Sequence, residues 1–360
     1  MKVVQVMPEF GLAGAEIMCE NLTYELRKLG HDVIVISMYD YHSVITERLE
    51  AAGVEVRYLQ KKPGLDPSMI GKIRRVLKEE CPDVVHTHRY CAQYAIPAAI
   101  LCGIKGRVHT LHSIAQKENT ALAKKLNYIF YKFFHLIPVA LSDLVCDSIQ
   151  KEYRIKRENI PVILNGVDLS KCIEKENYEP EGKFTILHIG RFAEVKNHLG
   201  LLAAFKMFHD KHPDSELWLI GDGEERVKAE TFVKEQGLQD AVKFFGVQSN
   251  VYGYLHDADL FTLPSNYEGI PMTLIEAMGT GVPIVATAVG GVPDMLDENC
   301  AILTQLSKEQ IAQGFESYYQ DASLRERHGK EARKRSVVFS SAEMAKKYCK
   351  IYESCRKAEK

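Results

Sequence analysis

The chain reads as an α/β protein of two doubly wound, Rossmann-like domains facing a cleft. Three observations predict this. Its 360 residues exceed the usual size of one domain. Strand-like runs of Val, Ile and Leu alternate with helical patterns in both halves, the signature of parallel sheets covered by helices on both faces. Between the halves, residues 166–182 are polar and poor in pattern, with Pro180 and Gly182 near the end. The boundaries expected are 1–168 for the first domain, 169–182 for a linker and 183–341 for the second domain. A helix over 342–357 is expected to join the first domain.

Strand signals in the first half are Val3–Met7, Val33–Ser37, Val54–Leu59, Val84–His86, Arg107–Thr110, Pro138–Leu141 and Pro161–Leu164. Between the first two, Ile17, Leu22, Leu26 and Leu29 recur at helical spacing, and Gly30 closes that helix. Second-half strands are Phe184–Ile189, Glu216–Ile220, Val242–Phe245, Leu260–Leu263, Val282–Ala286 and Ala301–Leu303, with helices such as Leu199–His209 and Arg226–Gln236 between them.

Composition narrows the class. A hydrophobic fraction of 46% and a charged fraction of 26% describe a soluble globular chain. Nine cysteines without a Cys-x-x-Cys pair suit reduced thiols in the cytosol. The opening strand stops at Pro8, too short for a signal-peptide core, and no apolar run reaches the ~18 residues of a membrane span. A cytoplasmic protein is expected, with the inner face of the cell membrane as a candidate peripheral location. Formal net charge is −2, but residues 1–165 carry 22 Lys+Arg against 18 Asp+Glu, and residues 166–360 carry 24 against 30. The first half is therefore the side suited to an anionic surface, and no nucleic-acid partner is expected. Leu122, Leu126, Ile129, Phe130, Phe133, Phe134 and Ile137 form one helical stripe, interleaved with Lys124, Lys125 and Lys132. It reads either as core or as an interfacial helix on an anionic membrane.

The chemistry-bearing stretch is Pro264–Gly281. It leaves the strand Leu260–Leu263 and opens a helix, with Pro271 expected in the first turn and Gly279 and Gly281 at its end. Glu268 lies in the loop and Glu276 two helical turns further on. The N–H groups of Ile270, Met272 and Thr273 would point out of the helix N-terminus, an anion-binding surface. Carboxylate, bare amides and carboxylate suit a ligand with hydroxyls at both ends and phosphate between. Two surface glutamates on an ordinary strand–loop–helix are the plainer alternative.

Other strand ends carry related signals. Gly11 and Gly14 join the first strand to its helix and admit close approach of a phosphate or sugar, but they are not the Gly-x-Gly-x-x-Gly of dinucleotide binding. Arg191 and Lys196 follow the first strand of the second half, where a fork and a point charge together hold a diphosphate. His109 and His112 end another strand, where an imidazole can bond a hydroxyl or move a proton. His86 and His88 have no carboxylate or Cys partner placed for a metal. Asp257-Ala-Asp259 falls between a helix and a strand, away from any loop expected to bind phosphate.

Taken together, Gly14-Ala-Glu16, His112, Asn165-Gly-Val-Asp168, Gly190-Arg191-x4-Lys196-Asn197 and the Glu268-x7-Glu276 stretch with its Glu-Ala-Met resemble, in order, the family 4 glycosyltransferases. These are retaining enzymes of the GT-B fold. Ala13 replaces the first Gly of the opening motif, and Pro271 stands where many members have Gly, so one N–H is absent. The resemblance implies transfer of a hexose or N-acetylhexosamine from a nucleotide sugar, a UDP-sugar by preference, to a glycan or polyprenyl-linked acceptor in polysaccharide or glycoconjugate synthesis. It implies Glu268 and His112 as the catalytic pair and Glu276 on the ribose hydroxyls. Arg191 and Lys196 would hold the diphosphate, supported by Ile270, Met272 and Thr273, with Gly14 at the donor and the backbone of Val247 at the base. No cofactor and no metal are expected. The alternatives are a GT-B nucleotide-sugar epimerase and a non-catalytic partner that only binds the sugar nucleotide. Intact Glu268, Arg191 and Lys196 weigh against the second.

Overall fold

The computed structural model describes residues 1–118 and 120–357. Its contacts separate Met1–Gly166 together with the chain from Ser341 as one compact unit, and Val167–Ser340 as the other. Each unit is a six-stranded parallel sheet with helices between successive strands.

In the first unit β1 (Lys2–Met7), β2 (Asp32–Ser37), β3 (Glu55–Tyr58), β4 (Val84–His88), β5 (Gly106–Leu111) and β6 (Ile137–Ala140) lie in the order β3-β2-β1-β4-β5-β6. β1 is flanked by β2 and β4 in register, Val4 facing Ile34 on one side and Val85 on the other. Strands covered on both faces are nearly all apolar, and Val3, Val4, Val6, Val84, Val85 and Val108 are fully buried. The Ser341–Lys357 helix belongs to this unit and buries Tyr348 and Tyr352 against Val3, Met18 and Leu22.

The second unit repeats the plan. β7 (Phe184–Ile189), β8 (Ser215–Ile220), β9 (Val242–Gly246), β10 (Leu260–Leu263), β11 (Ile284–Thr287) and β12 (Ile302–Thr304) are ordered β12-β11-β10-β7-β8-β9. In both sheets the order reverses once, between β1 and β4 and between β7 and β10. Loops leaving the strand C-termini at such a reversal diverge and open a crevice for ligands.

Four expectations need correction. Pro161–Leu164 is not a strand: Val162 forms a single bridge to Ala140, and Pro161 has no N–H for a ladder. Residues 169–182 are not a free linker, because the segment straps the second unit. Cys172 and Tyr178 are buried, the Lys175 N–H donates to the Thr280 carbonyl (2.9 Å), and the Tyr178 hydroxyl donates to that of Gly281 (3.0 Å). Pro271 precedes the helix Met272–Thr280 instead of starting it, with an extended backbone (φ −72°, ψ 123°) at the N-cap. The helical stripe over 122–137 ends at Phe133, and its residues do not share one environment. Phe130 is buried, whereas Leu122, Ile129 and Phe133 are 53%, 40% and 63% exposed.

Candidate active site

At the β7/β10 reversal two loops are stapled together by their own backbone. Gly190 follows β7 and donates its N–H to the Ile220 carbonyl (2.9 Å), while Gly221 presses against it in return. Gly221 has φ +133°, and a Cβ there would lie 2.0 Å from the Gly190 oxygen, so only glycine fits. A short turn, Glu194–Lys196, leads to Asn197 at φ 54°, which caps the His198–His209 helix through its Oδ1 (3.2 Å from the Gly200 N–H). The Asn197 side-chain amide donates to the Pro264 carbonyl (3.1 Å), and Asn266 returns two bonds, to the carbonyls of Val195 and Glu194 (2.8 Å each).

This stapling brings Lys196 and Glu268 together. Lys196 Nζ donates to Glu268 Oε1 at 2.6 Å, and the Ser265 hydroxyl donates to the same oxygen at 2.5 Å. Both side chains are mostly buried, 19% and 10% exposed. Ser265 is itself held, since the Thr287 hydroxyl donates to its carbonyl (2.6 Å). Behind the pair, His188 bonds the Thr262 carbonyl through Nδ1 (2.9 Å), which requires the proton on that nitrogen. Burial, with the charges of His198 and Lys196, keeps His188 neutral, so no second cation competes with the lysine.

Sequence reasoning missed what supports Glu268 from the other side. Gly290 has φ +54°, and a Cβ there would stand 1.8 Å from the Glu268 carbonyl oxygen; one on Gly291 would stand 2.3 Å from that of Gly269. The Gly291 N–H donates to the Glu268 carbonyl (3.1 Å). The available signal was Val289-Gly-Gly-Val292, directly after a strand.

Other residues expected at the donor are near in sequence but not all gathered. Arg191 is 71% exposed and turns to Glu224 (3.1 Å), not to the Lys196 side. Glu276 is half-buried on the Met272–Thr280 helix; burial lifts its pKa to about 7, tempered by the charge of Lys171 and a bond from Tyr252. Met272 and Thr273 open that helix, where N–H groups have no intrahelical acceptor. Ile270 approaches the Gly291 backbone, and Val247 is exposed beyond Gly246, whose carbonyl accepts from the Gly221 N–H (2.8 Å). Asp259 is tied to the first residues of β7, accepting from the Thr185 N–H (2.8 Å), at the strand ends opposite these loops. Among the described residues, no group of three or more His, Cys, Asp and Glu side chains is placed to hold a metal ion.

The β1/β4 reversal of the first unit carries a second constellation. Gly14 is the first residue of its helix, after an extended Ala13, and Glu16 in the first turn is buried and accepts from Arg89 (2.7 Å). The pairing of Glu16 with an arginine 73 positions away leaves no local signal in the sequence. His112 Nε2 lies 3.1 Å from His88 Nδ1, and His88 Nε2 lies 3.1 Å from Gln5 Oε1. The protons in this chain are set from its far end. A carbonyl only accepts, so the Thr23 hydroxyl must donate to that of Cys19 (2.8 Å), leaving Thr23 Oγ1 to accept from the Gln5 amide (2.6 Å). Gln5 therefore turns its oxygen to His88, and His88 carries its proton on Nε2. Burial keeps His88 neutral and pushes His112 down to about 3, so His88 Nδ1 is a lone pair and His112 Nε2–H donates to it. In this tautomer His112 Nδ1 carries no proton. His109 instead bonds Thr87 (2.9 Å) inside the sheet, and His86 bonds Thr110 and Tyr352 (2.8 and 2.7 Å).

Comparison with known proteins bears on the family and the fold. The family described as Glycosyltransferase Family 4 matches residues 12–171, and that described as Glycosyl transferases group 1 matches residues 171–335. The UDP-Gal:alpha-D-GlcNAc-diphosphoundecaprenol alpha-1,3-galactosyltransferase of Escherichia coli is 28% identical over 245 residues, 63% of each chain. The N-acetyl-alpha-D-glucosaminyl L-malate synthase of Bacillus anthracis is 28% identical over 254 residues, 65% of this chain and 64% of that one. The crystal structure of Anabaena Alr3699/HepE in complex with UDP superposes with a TM-score of 0.82 at 18% identity, over 98% of this chain and 100% of that one.

Proposed function

The chain belongs to the family 4 type of glycosyltransferases, and from that premise we propose that it moves a hexose or N-acetylhexosamine from a UDP-sugar to a lipid-linked glycan, with retention and without a metal ion. The observation that carries the reading is the Lys196–Glu268 pair, joined by Ser265 at the β7/β10 reversal. Bond cleavage in a sugar nucleotide develops negative charge on the diphosphate and positive charge on the sugar. A fixed ammonium beside a fixed carboxylate matches both. In this reading Lys196 turns from Glu268 to the diphosphate, and exposed Arg191 leaves Glu224 to join it. The N-terminus of the Met272–Thr280 helix faces the same phosphates, Glu276 takes the ribose hydroxyls, and Val247 lies at the base. Glu268 acts as an electrostatic and orienting group. His112 meets a sugar hydroxyl.

Support for the donor and acceptor classes comes from the relatives' own names, one of which specifies a UDP-sugar and a diphosphoundecaprenol-linked acceptor. The test is activity with EDTA present and with Lys196 removed. Turnover should survive EDTA, and Lys196→Ala should lower kcat on the order of 10²–10³-fold, the usual loss for one charge-stabilising donor. Loss of turnover in EDTA with recovery in Mn²⁺, or an unchanged kcat in Lys196→Ala, overturns the metal-free assignment.

A membrane-facing acceptor fits the Ala121–Phe133 helix, where Leu122, Lys125, Ile129, Lys132 and Phe133 are all exposed. Apolar and basic side chains on one surface are what an interfacial helix uses. Among the described residues no helix is long and apolar enough to cross a membrane. Sedimentation with phosphatidylglycerol vesicles should be strong at low salt and weaken as salt rises. No sedimentation at low salt would favour a water-soluble acceptor.

A further inference from the structure

The transferase reading leaves the opposite strand ends of the first unit without a role. At the start of β5 and β6 there is a cavity of about 840 Å³, its wall including Lys105, Arg107, Tyr131, His135, Glu158 and Cys355. Five residue steps lead from Arg107 on β5 to His112 just past its end, about 16 Å at the rise of a strand. The cavity is therefore distinct from the sugar-binding ends.

Arg107 is the unusual member. It is 8% exposed, and its Nε has no hydrogen-bond acceptor among the described residues. Burial disfavours its charge, and the compensating influence is the Cys355 thiol, a weak partner. Glu158 also lies on the wall, but its carboxylate is 72% exposed and faces Lys156 at 3.6 Å. A guanidinium stays ionised at any working pH. Buried without a counter-ion among the described residues, it is in one of the costliest arrangements a protein holds, and an anion supplied from outside relieves it. His135, on the same wall, is held at φ +49°, a backbone conformation that a residue other than glycine keeps only where its surroundings impose it.

We propose that this cavity is a binding site for a phosphate group, anchored by Arg107. The planar fork of a guanidinium matches two phosphate oxygens at once, and the Lys105 side chain lies on the same wall. The volume far exceeds a bare phosphate, and much of the wall is apolar, from Leu136, Pro138 and Ile155. The phosphate thus belongs to a larger molecule, either a soluble phosphate ester or a lipid headgroup.

Cys355 provides a local reporter. Its alkylation by iodoacetamide, followed by peptide mass spectrometry at constant ionic strength, should slow at least about threefold in inorganic phosphate or with phosphatidylglycerol vesicles. Alkylation of exposed Cys81 should not change. Protection by inorganic phosphate identifies a soluble ester as sufficient; protection only by phosphatidylglycerol, and not by phosphatidylcholine, identifies a lipid headgroup. Arg107→Met should abolish protection while UDP binding persists, showing that the protein is folded. Lys196→Ala should leave protection intact. Equal Cys355 rates in every condition, protection that survives in Arg107→Met, or protection lost in Lys196→Ala would each overturn the assignment.

Discussion

Lys196 and Glu268 stand 72 positions apart, and what makes them a site is that each limits the other's freedom. Lys196, bonded at 2.6 Å to a mostly buried carboxylate, is held in one orientation, from which the proposed reading has it exchange to a diphosphate. The same constraint acts on His112, whose tautomer is set by Gln5 through His88. Gln5 and His88 are fully buried and serve as positioning residues. In ¹⁵N-histidine spectra of the free protein, His88 and His112 should both appear as the neutral Nε2–H tautomer from pH 6 to 8. Gln5→Leu should release that preference. Observation of His112 as the Nδ1–H tautomer in the unmutated protein would break the proton order deduced here. The residue types were legible in sequence; their protonation was not, because it depends on acceptors on β1 and β4 lying beside β5.

At the scale of elements, the loops that hold the site depend on glycines pressed against backbone. Gly290→Ala demands φ +54° from an L-residue and drives a methyl group into the Glu268 carbonyl. The Glu268 loop must move, and kcat should fall by at least about tenfold, since displacing a charge-stabilising group costs more than its own binding. Far-UV circular dichroism should stay unchanged. Gly71→Ala, within the Ser68–Glu80 helix where an added Cβ meets nothing within 4 Å, should keep full activity and gain roughly 0.5–1 kcal/mol of stability. Wild-type turnover in Gly290→Ala would show that Glu268 does not need this support. The helix–strand alternation was readable from periodicity, whereas the Pro161–Leu164 run was misread because a short apolar run resembles a strand until its neighbour and its proline are considered.

For the whole molecule, buried histidines tie stability to pH. His86, His88, His109 and His188 are fully buried and have their pKa values lowered chiefly by burial. Their folded values lie below the unfolded value of about 6.5, so the unfolded chain takes up protons first as pH falls. Stability should be complete above about pH 6.5 and decline below it, by about 1.4 kcal/mol per pH unit for each such histidine. Glu276 works the other way. Its folded pKa of about 7 exceeds the unfolded carboxylate value, so it adds stability as pH falls through 7. His112 and His198, also lowered by burial, act with these histidines, and Glu16 and Asp259, whose carboxyls burial raises, act with Glu276. The histidines outnumber the carboxyls, and urea midpoints at pH 7, 6 and 5 should decrease in that order. A midpoint that is flat or rises toward pH 5 would contradict this balance.

The sequence by itself determined the two parallel sheets, the loops at their strand C-termini and the residue types that mark a sugar-nucleotide enzyme. These follow from local periodicity, from glycine at turns and from charge placed after apolar strands, all of which act over a few residues. Tertiary structure alone decided that Lys196 meets Glu268 while Arg191 turns to Glu224, and that residues 169–182 strap the second unit. It also decided that Gln5, His88 and His112 share one line of hydrogen bonds. Those contacts span between 24 and 83 positions and exist only because parallel register sets β1, β4 and β5 side by side. Periodicity states that a residue lies on a strand; the neighbour across the sheet decides which atom it offers.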